Sequence, residues 1–493
     1  MILRHLPALL IVAPLIAAPI CVALRHGRAA WALATAMSWA VLAMAVQLLL
    51  MVQKSGPIVY PLGDWQAPWG IEYKVDLLNA FMLVIVAAIG AVVSVYARKS
   101  VDKEIPAERH YLFYSMYLLC LTGLMGIAIT GDAFNLFVFL EISSLSSYVL
   151  ISLGSDRRAL TAAYRYLIMG TIGATFYIIG VGLMYMMTGT LNIGDLATLL
   201  PAVVDTRTIQ VALAFLTVGI CLKLALFPLH MWLPNAYAYA PSAVTVFLAA
   251  TATKIAIYAL VRVYFTMFAG TGIVQGAALR DALMTLAVLG MFAGSIVAIY
   301  QTDIKRMLAY SSIAQVGYMI LGIGFATATG LTGGLIHVFN HALMKGALFM
   351  AVGGVVYRMG AAHLDDFRGL GRKMPLTMAA FVAGGLSLIG VPLTVGFISK
   401  WYLILAAMEK GWWWIAILVV LSSLLAVVYV WRVVEVAYFQ APADPEAPAR
   451  EAPKWMLIPT WVLVAASIWF GVDATRTVGI AKGAAEFLLK AAP

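Results

Sequence analysis

The stretch Gly219-Ile-Cys-Leu-Lys-Leu-Ala-Leu-Phe-Pro228 decides the fold, because it is an apolar run that carries a lysine and ends at a proline. A charge at membrane depth costs at least about 2.5 to 3.5 kcal/mol on insertion scales and so needs a functional or structural reason. Pro234 follows as a second helix breaker, and Gly390 with Pro392 interrupts another apolar run. Two breaks at corresponding places indicate discontinuous membrane helices, which carry binding sites near the midplane.

The chain around this stretch has the composition of a membrane protein. Of 493 residues, 63% are hydrophobic and 11% are charged, and the mean hydropathy is +0.96. These values exclude an ordinary soluble protein and predict an all-α polytopic membrane protein. About fourteen transmembrane helices are expected, near residues 7–24, 31–52, 76–97, 111–129, 134–154, 163–187, 208–227, 242–268, 281–301, 307–325, 331–357, 375–398, 411–437 and 456–472.

The net charge of +10 is spread over short connections, so it indicates topology and no nucleic-acid partner. The first apolar run could be taken for a signal peptide, but it is long enough to span the bilayer. If connections alternate sides, one side is predicted to be cytoplasmic, with both termini outside a bacterial plasma membrane. That side collects Arg25, Arg28, Arg98, Lys99, Lys103, Arg109, Arg157, Arg158, Lys305, Arg306, Arg368, Arg372, Lys373, Arg450 and Lys454.

No cofactor or metal is expected. The three cysteines, Cys21, Cys120 and Cys221, lie far apart inside apolar segments, which excludes a zinc-ligand spacing and predicts buried packing residues. The chain has no phosphate-binding loop and no dinucleotide fingerprint. The expected energy source is therefore an ion gradient or another protein of the same complex, and the chain is not expected to be an enzyme.

Two stretches of the chain resemble each other. Leu145-Ser-Ser-Tyr-Val-Leu-Ile echoes Gln315-Val-Gly-Tyr-Met-Ile-Leu, and Leu260-Val-Arg-Val echoes Val430-Trp-Arg-Val. The prediction is two five-helix repeats with broken helices 7 and 12, and an odd helix number inverts one repeat relative to the other. The predicted units are an N-terminal three-helix segment at 1–110, the repeats at 111–269 and 281–437, and a C-terminal helix and tail at 438–493.

Five ionisable residues fall inside or at the break of apolar segments: Glu141, Lys223, Lys254, Lys345 and Lys400. Glu141 has nothing basic one turn away on its own helix, so its partner is expected on another helix. A buried lysine near a carboxylate can be switched between charged and neutral when the carboxylate moves, which makes Lys223 a candidate proton switch. Structural ion pairs or snorkelling lysines are the alternative.

The segment His337-Val-Phe-Asn-His-Ala-Leu-Met-Lys345 places His337, His341 and Lys345 four residues apart on one helix face. Such spacing is typical of a row of acid and base groups. Haem or metal ligation and histidines bonded to the backbone are the alternatives. Two histidines one turn apart cannot be the two axial ligands of one haem, and no carboxylate or cysteine nearby completes a metal set.

Two further features each allow two interpretations. His230 follows Pro228 in the interrupted helix and is either a further proton station or a hydrogen-bonding group at a helix end. The serines beside Glu141 either solvate a proton path or let helices pack closely. These serines are Ser143, Ser144, Ser146 and Ser147.

Four motifs together resemble one known family. They are Gly131-Asp-Ala-Phe-Asn-Leu-Phe-Val-Phe-Leu-Glu-Ile-Ser-Ser, the stretch from Lys223 through Leu-Phe-Pro-Leu-His-Met-Trp-Leu-Pro-Asn-Ala-Tyr, Asp303-Ile-Lys-Arg-Met-Leu-Ala-Tyr-Ser-Ser-Ile-Ala-Gln, and His337 to Lys345. They resemble the antiporter-like subunits shared by respiratory complex I, membrane-bound hydrogenases and multisubunit Mrp sodium/proton antiporters. The sequence motif around Glu141 and the number of helices look most like those of the D-type subunits of the Mrp antiporters.

The resemblance implies roles for individual residues. Glu141 and Lys223 would form the ion pair of one half-channel, Lys254 and the histidines would link the halves, and Lys400 would deliver the proton to the opposite face. It also implies partners, namely other hydrophobic subunits of an antiporter complex, protons and sodium. The expected function is proton translocation within a cation/proton antiporter.

Two other functions remain open. One is a proton-pumping subunit of complex I or a hydrogenase assembly, which neighbouring quinone or hydrogenase genes would indicate. The other is a purely structural anchor for redox subunits. The five ionisable groups at membrane depth argue against an anchor, because an anchor gains nothing from their cost.

Overall fold

The computed structural model describes residues 2–273, 276–442 and 450–490, and the fold is almost entirely helical. In chain order the α-helices are α1 Leu6–Leu24, α2 Gly27–Ser55, α3 Leu77–Glu104, α4 His110–Ile129, α5 Ala133–Ser152, α6 Arg158–Thr188, α7 Ile193–Leu199, α8 Arg207–Leu224, α9 Leu233–Tyr239, α10 Ser242–Arg262, α11 Ala277–Ile299, α12 Ile304–Gly324, α13 Ala328–Met359, α14 Leu370–Lys373, α15 Pro375–Ile389, α16 Val395–Glu409, α17 Trp413–Phe439, α18 Lys454–Val472 and α19 Thr475–Lys490.

Short elements connect these helices. Two strands, β1 Ile58–Pro61 and β2 Glu72–Val75, pair antiparallel between α2 and α3. A π-helical turn, Val263–Met267, extends α10. Short 3-10 helices lie at Ile2–His5, Leu62–Asp64, Ala107–Arg109, Leu200–Ala202 and Leu364–Phe367.

The number of membrane crossings agrees with the sequence. In the described part of the chain, thirteen helices are long and apolar enough to span a bilayer. The consecutive helices α15 and α16 have 15 residues each, so each is too short alone, and together they supply a fourteenth crossing. The prediction of an all-α polytopic membrane protein with about fourteen helices is confirmed.

The first interrupted crossing consists of α8 and α9. Helix α8 ends at Leu224, and Ala225 adopts a left-handed conformation with φ of 60°. The indole Nε1 of Trp232 donates to the carbonyl of Leu222 at 2.9 Å, so the break leaves this carbonyl hydrogen-bonded inside the protein. Pro234 was expected to break the helix and does not. It lies at the start of α9, where proline is tolerated because the first helical N–H groups have no intrahelical partner.

The second interrupted crossing consists of α15 and α16. Gly390 has φ of 93°, a conformation that favours glycine, and it ends α15. The predicted break of the segment 375–398 at Gly390 and Pro392 is confirmed, and the second short helix runs beyond 398 to Glu409. Each broken crossing is the fourth crossing of its predicted repeat, which supports the division at 111–269 and 281–437. That division stays a prediction.

The ends of the helices form two faces. We call the first the basic face. One cavity lies there, surrounded by the ends of α3, α9 and α13 and by the starts of α6 and α12. The β-hairpin, α7 and α19 lie on the opposite face. Helix α19, which the sequence pattern did not predict, packs against α3 and α13. Its residues are less apolar than those of a spanning helix, so a count of apolar runs missed it.

Candidate functional site

Glu141 and Lys223 meet across a helix interface, as the sequence led us to expect. Glu141 lies on α5 and Lys223 on α8, and the Nζ of Lys223 is 3.3 Å from Oε1 of Glu141. The same Nζ donates to Oγ of Ser144 at 2.6 Å. Lys223 is buried, whereas the Glu141 side chain is 25% exposed. One partner of the pair is thus enclosed and the other reaches the perimeter of the molecule.

The other serines near Glu141 do not contact Lys223. The hydroxyls of Ser143, Ser146 and Ser147 donate to carbonyls three or four residues earlier in α5. A hydroxyl satisfied in this way lets helices pack closely. Of the four serines, Ser144 is therefore the one that belongs to the charged site.

Lys254 is the centre of a second group of charges. It is fully buried on α10, and its ammonium donates to the carbonyl of Ala249 and to Oγ1 of Thr253 at 3.2 Å. It interacts electrostatically with His337, His341 and Lys345, all on α13. The structure therefore brings Lys254 and the predicted row on α13 together.

The two histidines of α13 lie one above the other. Their rings are nearly parallel, with an interplanar angle of 10° and centroids 6.2 Å apart. His337 has partners on both nitrogens: Nε2 is 2.9 Å from Oε1 of Gln315, and Nδ1 is 2.8 Å from Oγ of Ser399. Neither ring nitrogen of His341 has a hydrogen-bond partner among the described residues. Both nitrogens of this buried ring are available for proton exchange.

Lys345 continues the row on α13. Its Nζ donates to the carbonyl of Leu308 at 2.8 Å and to the hydroxyl of Ser311, both on α12. It is fully buried. Like Lys254, it is held by neutral acceptors within the described part of the chain. Such an ammonium is costly in the membrane, which favours a group that gives up its proton.

Lys400 lies on α16 and reaches back across the second break. Its Nζ donates to the carbonyls of Leu388 and Ile389, at 3.0 and 2.7 Å, and to Oγ of Ser423 at 2.7 Å. The residue is only 5% exposed, so it is not a snorkelling lysine at the interface. It interacts electrostatically with His337, which places it at the end of the row.

His230 stands apart from these residues. Its ring stacks on Phe227 at 5.3 Å and meets the edge of Tyr310 at 6.4 Å. It lies in the segment between α8 and α9, and its Nδ1 has no hydrogen-bond partner in the described structure. Its ring contacts are to aromatic side chains and not to the buried lysines, so its role as a proton station remains a prediction.

The sequence interpretation missed a buried ion pair. The guanidinium of Arg262, on α10, is 2.6 Å from Oδ1 of Asp76, just before α3, and both side chains are buried. Arg262 also donates to Tyr258 at 3.0 Å and to the side chain of Asn79. Arg262 lies within the predicted span 242–268. The energetic cost of a charge at membrane depth, which identified the other buried residues, therefore also pointed to Arg262.

The described residues contain no group of three or more His, Cys, Asp or Glu side chains that could hold a metal ion. The chemistry that the site supports is proton transfer by its own side chains. The Glu141–Lys223 pair forms one end of the site. A row of buried groups leads from it toward the second broken helix, and it consists of Lys254, His337, His341, Lys345 and Lys400.

Comparison with known proteins gives a family. Residues 130–426 match the family described as NADH:quinone oxidoreductase/Mrp antiporter, TM. The chain is 45% identical over 480 residues to the N subunit of NADH-quinone oxidoreductase from Desulforudis audaxviator, with 93% of this chain and 94% of the relative covered. It is 32% identical over 433 residues to the D subunit of the Na(+)/H(+) antiporter from Alkalihalophilus pseudofirmus, with 88% and 86% covered.

A solved structure agrees with the sequence relatives. The fold matches a chain in the structure of the Mrp complex from Dietzia sp. DQ12-45-1b with a TM-score of 0.91, 26% identity, and 99% of this chain and 98% of that chain covered. The family match includes more than half of the chain and both broken crossings. The chain belongs to the NADH:quinone oxidoreductase/Mrp antiporter transmembrane family.

Proposed function

We propose that this chain is the proton-translocating subunit of a multisubunit Na⁺/H⁺ antiporter in a bacterial plasma membrane. The observation that carries the proposal is the Glu141–Lys223 pair, together with the buried row from Lys254 to Lys400. The relatives that are D subunits of Na(+)/H(+) antiporters support it. The partners would be other membrane subunits of the complex.

The geometry gives each residue a part in transfer. A buried ammonium is stable only while a carboxylate or several acceptors compensate it. When Glu141 is protonated or moves away, Lys223 loses its charged partner and passes on a proton. Lys254, His341 and His337 then relay the proton toward Lys400, at the turn between α15 and α16.

The proposal includes an orientation. Under the rule that cytoplasmic connections carry the excess of Lys and Arg, the basic face is the cytoplasmic face. Fourteen crossings then leave both termini outside. Impermeant labelling of single cysteines introduced near Lys54 and Lys103 would show which face is outside.

The function is tested by removing each partner of the pair. We expect Glu141→Ala and Lys223→Ala each to lower sodium-driven proton movement in vesicles at least tenfold while the complex stays assembled, because removal of one partner strands the other. Lys99→Ala is the matched control, since it breaks an exposed ion pair with Asp102 at 3.6 Å. Normal exchange in either pair variant would contradict the assignment.

One observation favours a second candidate. The 45% identical relative is an N subunit of NADH-quinone oxidoreductase, which favours proton pumping by this chain within a redox-driven complex. Purification of the native complex decides between the two. Small membrane antiporter subunits and sodium-dependent proton movement support the antiporter, whereas quinone-reducing or hydrogenase subunits and proton movement on addition of reductant support the alternative.

A further inference from the structure

A polar cavity of about 160 Å³ lies at the basic face. The end of α3, the start of α12 and the connections before α6, between α9 and α10, and after α13 surround it. Its charged and titratable lining residues are Glu104, Asp156, Arg158, Tyr239, Asp303, Lys305 and His363. None of them belongs to the site described above. The sequence analysis used Arg158 and Lys305 as topology signals, and Asp303 and Lys305 also belong to one of the family motifs.

Lys305 is the buried member of this cavity. It is the second residue of α12 and is only 5% exposed. Its Nζ donates to the carbonyl of Ala240 at 2.8 Å, at the end of the first broken crossing. Glu104 and Asp303 interact with it electrostatically. A lysine held mainly by a carbonyl, with carboxylates nearby in a polar cavity, is placed to exchange protons with that cavity.

Glu104 is fixed in place by α10. Its carboxylate accepts from the backbone N–H and the hydroxyl of Ser242, at 2.8 and 3.1 Å, and from the hydroxyl of Ser100 at 2.6 Å. Ser242 is the first residue of α10, so the carboxylate compensates the positive end of the helix that also carries Lys254.

The cavity leads toward the row of buried charges along α12. Lys305 and Leu308 lie one turn apart on this helix, about 4.5 Å along its axis at 1.5 Å per residue. The carbonyl of Leu308 accepts from Nζ of Lys345 at 2.8 Å and from the hydroxyl of Ser312 at 3.0 Å. The carbonyl that holds Lys345 thus belongs to the residue one helical turn beyond Lys305 on α12.

We propose that this cavity is the aqueous port through which protons pass between the basic face and Lys345, with Lys305 as the proton relay at its base. The proposal rests on the proposed function, since it supplies protons to the same row. Its ligand is the proton carried by water. Lys305 is a relay only if its ammonium releases a proton, so a fixed positive charge at this position does not replace it.

The first experiment blocks the port. The native cysteines Cys21, Cys120 and Cys221 are buried, so Ser155→Cys at the exposed mouth can be labelled selectively with a charged, impermeant methanethiosulfonate from the basic face. Proton movement in proteoliposomes of the complete complex is driven by an imposed sodium gradient, because a coupled antiporter moves protons only in exchange for sodium. We expect labelling to lower the rate at least fivefold relative to the unlabelled variant. Arg157→Cys, two positions away and outside the cavity lining, is the labelled control.

The second experiment tests the relay. Lys305→Gln and Lys305→Arg should each lower the sodium-driven proton flux at least fivefold. Lys305→Arg separates proton transfer from charge, because arginine keeps the positive charge but does not release a proton. Full flux in Lys305→Arg overturns the relay and leaves an anchoring charge. Full flux in fully labelled Ser155→Cys overturns the port, whether or not the lysine variants fold.

The two proposals fail in different ways. Reductant-driven proton movement is measured on the same proteoliposomes. If the unmodified complex moves protons on addition of reductant but not in a sodium gradient, the antiporter function is wrong, and labelling tested on the reductant-driven flux still decides the port. If it moves protons under neither condition, the port is wrong as well.

Discussion

At the scale of single residues, the Asp76–Arg262 pair makes a prediction about stability. Burial raises the pKa of the Asp76 carboxyl, but the nearby Arg262 guanidinium and the Asn79 N–H outweigh burial and lower this pKa below its usual value. A carboxyl with a lowered folded pKa stabilises the protein above its unfolded pKa of about 3.9, and this contribution is lost as the pH falls through the folded pKa.

We therefore expect Asp76→Asn to destabilise the detergent-solubilised protein at pH 7 by about 3 to 5 kcal/mol, the usual cost of stranding one partner of a buried pair. Asparagine can still cap α3, so the loss of stability measures the removal of the negative charge and not the removal of the cap. The difference between variant and parent should shrink below about pH 4. Thermal unfolding from pH 3 to 7 measures it, with Asp205→Asn, at an exposed aspartate, as control. A stability difference between variant and parent that is the same at every pH would contradict the predicted dependence on the ionisation of Asp76.

His341 makes a prediction about rate. It is fully buried, and both ring nitrogens lack partners among the described residues, so its removal breaks no hydrogen bond in that part of the chain. We expect His341→Ala to slow proton transfer and to shift the pH profile of transport, because an acid–base group is lost from the row. His26→Ala, at an exposed histidine, should leave the profile unchanged. Unchanged profiles after replacement of His337, His341 and Lys345 together by apolar residues would make the row a packing feature.

The sequence predicts some site residues and not others for a physical reason. The energetic cost of burying a charge identifies Glu141 and Lys223 because they lie well inside long apolar runs. Lys305 lies at a helix start and Asp76 just before one, where sequence alone predicts contact with water. Whether such a residue is buried depends on which helices pack around it, and one helix's pattern does not contain that information.

At the scale of elements, the second broken crossing carries its own prediction. Lys400 holds the two carbonyls that end α15, so it has a structural role beside its proposed role as terminal station. Arginine can bond these carbonyls but stays charged. We expect Lys400→Arg to give an assembled complex with at least tenfold slower antiport, measured in vesicles against complex abundance. Retained antiport would return Lys400 to the capping role alone.

Long elements were predictable and short ones were not. Apolar length identified fourteen crossings, because a helix that spans lipid must be apolar for about 20 residues. The hairpin of β1 and β2 and the helix α19 lie outside that constraint, since elements at the membrane surface need no such run. Gly390 and Pro392 identified the second break, but the length of α16 beyond it depends on its packing against α13 and α17.

At the scale of the whole molecule, the charges of the row decide which ion it can carry. Lys223, Lys254, Lys345 and Lys400 are cationic when protonated, and the described residues contain no group of three or more His, Cys, Asp or Glu side chains that could hold a metal ion. A proton can move by titrating these side chains in turn. A sodium ion cannot, and it is repelled by each of them. Sodium is therefore expected to cross the membrane through another protein of the complex.

This expectation is tested with the chain alone and with the complete complex. Proteoliposomes that contain only this chain should show potential-driven proton flux but no uptake of labelled sodium above empty liposomes, whereas the complex should show both. Glu141→Ala should abolish sodium uptake by the complex although Glu141 contacts no sodium, because proton and sodium movements are coupled. Sodium uptake by the chain alone would place the sodium path within this chain and would overturn this expectation.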